Sequence, residues 1–80
     1  MSVLVGGNIE YDAENYSNAV ELYTKAIEED SLGVDYTTYH RRSYSYYKLL
    51  MYSEAIADAD KCIELNSDFS DVFLVKGLAL

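Results

Sequence analysis

Residues 16–28 read YSNAVELYTKAIE, and residues 52–64 read YSEAIADADKCIE. The copies start thirty-six residues apart and share the pairs Tyr16/Tyr52, Ser17/Ser53, Ala19/Ala55, Lys25/Lys61, Ile27/Ile63 and Glu28/Glu64. In the first copy Ala19, Val20, Tyr23, Ala26 and Ile27 fall on one face of a helix, with Glu21, Lys25 and Glu28 on the other. In the second, Ala55, Ile56, Ala59, Cys62 and Ile63 face inward while Glu54, Asp58, Lys61 and Glu64 face outward. Apolar steps of three and four define an amphipathic helix. A helix written twice in register predicts two successive units of one architecture, each needing its neighbour to bury its apolar face.

The same spacing continues on both sides of these copies. The chain holds no proline, and its breaks fall at AENYS, EEDSLGVD, LLMYS and ELNSDFSD, where Asn, Asp, Ser and Gly supply caps and turns. Five helices follow, at 2–13, 16–30, 35–50, 53–66 and 69–80, with short connections that make neighbours antiparallel.

Read as repeated helix pairs, the chain resembles the tetratricopeptide repeat family. The resemblance is carried by GNIEYDAENYSNAVELYTKAIEEDS and then by SYSYYKLLMYSEAIADADKCIELNS. Gly7 takes the place of the small residue at a close helix crossing, Tyr16 the turn aromatic, Ala19 and Ala26 the small packing positions, and Tyr23 the large residue between them. Ser43, Tyr46, Tyr52, Ala55 and Cys62 correspond in the second unit. SDVFLVKGLAL looks like the opening helix of a third, with Phe73 and Gly77 at its signature places. Ser31 and Ser67 stand where the family favours proline, and Glu14 and Leu50 where it favours a turn glycine. The expected fold is thus all-α, a single domain over 1–80 of antiparallel helix-turn-helix repeats stacked as a short right-handed solenoid. Repeat one covers 1–33, repeat two 36–69, and 70–80 begins a third.

Fourteen acidic residues against six basic ones give a formal charge of −8, which argues against generic polyanion binding. The segment Tyr36–Tyr52 nonetheless carries Arg41, Arg42 and Lys48 and no acid at all. The resemblance implies a peptide-binding groove lined by the first helix of each pair. Helical spacing gathers Thr37, His40, Arg41, Tyr44, Tyr47 and Lys48 on one stripe and leaves Tyr39, Ser43, Tyr46 and Leu50 for the core. Leu4, Val5, Asn8, Tyr11 and Asp12 share the matching face of the first helix. The candidate groove residues are therefore Asn8, Tyr11, His40, Arg41, Tyr44, Tyr47 and Lys48. Asn8 bonds a backbone amide, Arg41 grips a carboxylate, and the tyrosines give rigid contact area, so the expected partner is an extended acidic segment or C-terminal tail.

One branch of the family, the chaperone adaptors, grips chaperone tails through a clamp of lysines, asparagines and an arginine. Asn8 matches the first clamp asparagine. Leu4, Arg41, Asp71 and Val75 replace the other four clamp residues, so a chaperone-type adaptor is implied by the style of the repeats rather than by the clamp.

Other classes find less in the sequence. One histidine, no metal-ligand spacing, no phosphate loop and no nucleophile motif leave no catalytic or metal residue and no cofactor to assign. YHRRSYSYYK interleaves bases and aromatics as single-stranded RNA-binding surfaces do, but the acidic total opposes it. No stretch approaches the ~20 apolar residues that span a bilayer, and a lone Cys62 fits a reducing compartment, so a cytoplasmic protein without a membrane partner is expected. Val72, Phe73, Leu74, Val75, Leu78, Ala79 and Leu80 wrap most of the last helix. An open apolar face there predicts self-association through 69–80, a structural oligomerisation role, or further repeats beyond it.

Overall fold

The structure is a computed structural model that describes residues 2–68. Four α-helices succeed one another: α1 over Val3–Asp12, α2 over Tyr16–Glu28, α3 over Tyr36–Lys48 and α4 over Tyr52–Leu65. The described residues contain no strand. α1 packs on α2, α3 on α4, and α2 on α3. Where the sequence predicts five helices, the described residues thus hold four. The expected fifth, over 69–80, lies outside them, and so do the apolar face and self-association read into it.

Helix ends explain why the boundaries are sharp. At the close of α1 the Glu14 N–H donates to Tyr11 C=O at 3.0 Å and the Asn15 N–H to Glu10 C=O at 2.9 Å. α2 ends the same way through Asp30 and Ser31, and α3 through Leu50 and Met51. This paired closure requires a left-handed residue, and Glu14, Asp30 and Leu50 adopt φ of 64°, 50° and 64°. A side chain at such a φ costs about 1–2 kcal/mol relative to the right-handed region. Leu50 therefore leaves the helix and stands 71% exposed, which corrects its expected place in the core. At the other end of α3, the Asp35 side chain accepts from Thr37 N–H at 3.0 Å, and Thr38 Oγ1 accepts from Asp35 N–H at 3.4 Å. That reciprocal cap fixes where α3 begins.

The duplicated helices supply the core. Ala19, Tyr23 and Ala26 of α2 and Ala55, Ala59 and Cys62 of α4 are fully buried, as their spacing predicts. α1 rests on the Tyr23 ring: a Cβ placed on Gly7 would stand 2.9 Å from Tyr23 Cδ1 and Cε1. On α3, Ser43 is buried and its hydroxyl donates to Ala55 C=O at 2.7 Å, tying the second pair together.

A second correction concerns Asp58. It was expected outside with the other charges of α4, but it is buried and accepts from Arg42 Nε at 2.6 Å and Nη2 at 2.7 Å. Arg42 also donates from Nη1 to Thr24 Oγ1 at 3.1 Å, so one side chain joins α2, α3 and α4. Its guanidinium lies over the rings of Tyr39 and Tyr46, 5.8 and 5.7 Å from their centroids. Burial works against the Arg42 charge, yet the bonds and charge of Asp58 outweigh it and push its pKa above the ordinary value. Arg42, a cation of the acid-free segment Tyr36–Tyr52 but not of the groove stripe, is thereby engaged within the fold.

Candidate functional site

With Arg42 engaged, Arg41 and Lys48 are the remaining arginine and lysine of α3. Successive steps of three and four put Arg41, Tyr44, Tyr47 and Lys48 on one side of that helix. α1 reaches the same region because its Gly7 lets it settle closely on Tyr23, which brings Asn8 within reach of α3.

Asn8 Oδ1 accepts two hydrogen bonds, from Tyr23 Oη at 2.6 Å and from Arg41 Nη1 at 2.8 Å. A guanidinium has no acceptor, so the oxygen of the amide must face it, and the Nδ2 donors turn elsewhere. The Arg41 guanidinium also covers the Tyr11 ring, 5.8 Å from its centroid. Tyr11 meets Tyr44 edge-on at 6.2 Å, Tyr44 meets Tyr47 at 6.2 Å, and Lys48 Nζ stands 5.9 Å from the Tyr44 centroid. Six of the seven sequence-predicted residues, Asn8, Tyr11, Arg41, Tyr44, Tyr47 and Lys48, are joined by these contacts. His40 is half-buried one turn before Tyr44.

Three further tyrosines belong to the network and were assigned other roles by the sequence. Tyr16 stacks edge-on against Tyr11 at 6.1 Å and against Tyr44 at 5.9 Å. Tyr52 lies 5.9 Å from Tyr47, and Tyr23 lies 6.4 Å from Tyr11. Tyr16 and Tyr52 open the two duplicated segments, so the signal that could have found them was their shared position, next to a helix end that other aromatics flank. The result is a continuous run of rings from the α1–α2 turn to the α3–α4 turn, with a cation at each of two points.

The electrostatics follow from burial. Desolvation pushes the Tyr23 phenol up to about 12, with the Arg41 guanidinium pulling the other way. Desolvation also raises Tyr11 and Tyr16, helped in Tyr16 by the charges of Tyr44 and Glu14. All three stay neutral donors at physiological pH. Among the described residues, no group of three or more His, Cys, Asp or Glu side chains could hold a metal ion. No described helix is long and apolar enough to cross a membrane.

Fold and site together define a class: all-helical chains that write one helix hairpin twice and gather aromatic and cationic side chains across its first helices. No protein-family model matches the chain. The chain is similar to the heat shock protein STI1 of Saccharomyces cerevisiae, 38% identical over 64 residues that make up 80% of this chain and 11% of that protein. It is 40% identical over 67 residues to Hsp70-Hsp90 organizing protein 3 of Arabidopsis thaliana, across 79% of this chain and 12% of the relative. A Protein SGT1 homolog of Oryza sativa is 39% identical over 66 residues, 82% of this chain and 17% of its own length. The chain therefore spans under a fifth of each of these relatives.

Proposed function

We propose that this chain is a tetratricopeptide-type module, two helix pairs of a short right-handed solenoid, that serves a chaperone-adaptor protein by holding a partner segment. It acts by binding rather than by catalysis. Asn8, Tyr11, His40, Arg41, Tyr44, Tyr47 and Lys48 form the surface, and the ligand is an extended acidic peptide or tail. The observation that carries this reading is the Arg41–Asn8 bond, which ties the first helix of one pair to the first helix of the next beside a run of tyrosines. Rigid aromatics supply contact area at low entropic cost, and a pre-positioned guanidinium supplies direction. Relatives whose names include Hsp70-Hsp90 organizing protein support an adaptor role.

Calorimetric titration with two peptides of equal length, one acidic and one neutral, tests the proposal. The acidic peptide is expected to bind, and Arg41→Glu or Lys48→Glu to weaken it by about tenfold or more. Equal binding of the acidic peptide by the parent and both variants would remove the basis for the assignment.

A further inference from the structure

The cations and the amide of the proposed surface have hydrogen bonds to give and none left to receive. Arg41 and Lys48 carry donors and no acceptor. Asn8 brings one amide oxygen, and both its lone pairs are taken, by Tyr23 Oη at 2.6 Å and Arg41 Nη1 at 2.8 Å. What Asn8 can still offer is its NH2 group. Tyrosine hydroxyls both donate and accept, and Tyr23 has already committed its proton to Asn8. The charged and amide side chains of Arg41, Lys48 and Asn8 thus present donors alone, and the acceptors of the surface are tyrosine oxygens and, at the α1–α2 turn, the carboxylates of Asp12 and Glu14.

That imbalance selects among partner backbones. A helical or β-paired peptide meets its own backbone groups, whereas a generic extended peptide brings an N–H for each C=O, and along Arg41, Tyr44, Tyr47 and Lys48 the groups that can accept from those N–H groups are tyrosine hydroxyls. Proline has no N–H, and in the polyproline II form every carbonyl is free of internal hydrogen bonds. Carboxylates accept only. A preformed polyproline II segment also loses little entropy on docking, and its pyrrolidine faces suit aromatic-lined surfaces. The rings here run on without a gap, with centroids of Tyr16, Tyr44, Tyr47 and Tyr52 spaced 5.9, 6.2 and 5.9 Å.

We infer, building on the peptide-binding reading above, that the partner segment is an acidic, proline-bearing chain in the polyproline II conformation. Its pyrrolidine rings lie on Tyr16, Tyr44, Tyr47 and Tyr52. Its carboxylates meet Arg41 and Lys48, the cations of a surface that belongs to a chain of net charge −8. Asp12 and Glu14, exposed and acting on Tyr11 and Tyr16, repel carboxylates from the α1–α2 turn and so place the acidic residues toward Lys48.

The test uses the 80-residue chain and three C-terminally amidated peptides of equal length without tyrosine: alternating Pro-Glu, alternating Ala-Glu, and alternating Pro-Gln. Amidation removes a terminal carboxylate as a source of affinity. Pro-Glu is expected to bind about tenfold or more tighter than either of the others. Tyr47→Ala and Tyr52→Ala should weaken Pro-Glu by about tenfold or more, and by a larger factor than they weaken Ala-Glu. Far-ultraviolet circular dichroism checks their folding, and Tyr52, 42% exposed, carries the comparison should Tyr47→Ala not fold. Equal affinity for Pro-Glu and Ala-Glu overturns the inference and leaves the acidic-peptide reading in place. Equal affinity for Pro-Glu and Pro-Gln overturns its acidic half. No binding by either acidic peptide overturns both the inference and the reading beneath it.

Discussion

Arg42 and Asp58 face each other across α3 and α4 through two parallel hydrogen bonds of 2.6 and 2.7 Å, with side chains only 15% and 8% exposed. Removing one member of such a pair leaves the other charge desolvated, which typically costs about 3–5 kcal/mol. Asp58→Ala should therefore cost several times more than an exposed substitution on the same helix such as Glu64→Ala. The double variant Arg42→Met with Asp58→Leu should recover much of the loss, since a well-packed apolar pair is often neutral relative to the ion pair. Urea unfolding of the set gives the coupling, and additive costs would show that the two residues act independently.

Gly6 and Gly7 stand side by side in α1, and the structure separates them. A Cβ on Gly6 would sit 3.5 Å from Leu22 Cδ1, ordinary contact, while one on Gly7 would sit 2.9 Å from the buried Tyr23 ring. Gly6→Ala should stabilise the helix by roughly 0.5–1 kcal/mol, and Gly7→Ala should cost about 1–3 kcal/mol. Thermal melts should move in opposite directions. Ala19→Leu, Ala26→Leu and Ala55→Leu, at fully buried positions, should resemble Gly7→Ala.

Glu14 and Leu50 each hold φ of 64° at the end of a helix. Replacement by glycine relieves the left-handed strain, and each variant should gain about 0.5–1 kcal/mol. The same substitution at Glu21, exposed within α2, should lose stability by a similar amount.

The Tyr23 phenol has a pKa raised to about 12 by burial. The unfolded chain therefore loses this proton first, near pH ~10, and the stabilisation from the neutral phenol is whole below that point. It declines as pH rises toward 12 and is gone above it. Melting temperature should fall more steeply over that window in the parent than in Tyr23→Phe. At neutral pH the variant should be weaker by about 1 kcal/mol through loss of the bond to Asn8.

The inner faces of α2 and α4 were legible because a period of 3.6 needs no knowledge of the partner: Ala19, Tyr23, Ala26, Ala55, Ala59 and Cys62 all lie where that spacing puts them. Asp58 was not, although it lies three residues from Ala55 and four from Cys62. Charge pointed it outward, and only contact with Arg42, sixteen residues earlier, makes burial affordable. Leu50 misled for the opposite reason, since its apolar side chain fits the stripe of α3 but the backbone turns left-handed before reaching it. On the candidate surface, spacing gave the face of α3 but could not give Asn8 to Arg41, thirty-three residues apart. Tyr16, Tyr23 and Tyr52 were read one helix at a time as turn and core residues, and their place in the ring network depends on how three helices meet.

The chain has nine tyrosines, two weakly absorbing phenylalanines and no tryptophan, so tyrosine dominates its near-ultraviolet absorption and emission. Six of these rings are in successive contact, at centroid distances of 5.9–6.4 Å. Transition dipoles that close couple to one another, and excitation passes between them before it is emitted. The surface is thus its own optical antenna: anything that tilts Tyr44, the ring touching Tyr11, Tyr16 and Tyr47, alters the near-ultraviolet ellipticity and emission anisotropy of the whole set, with no label attached.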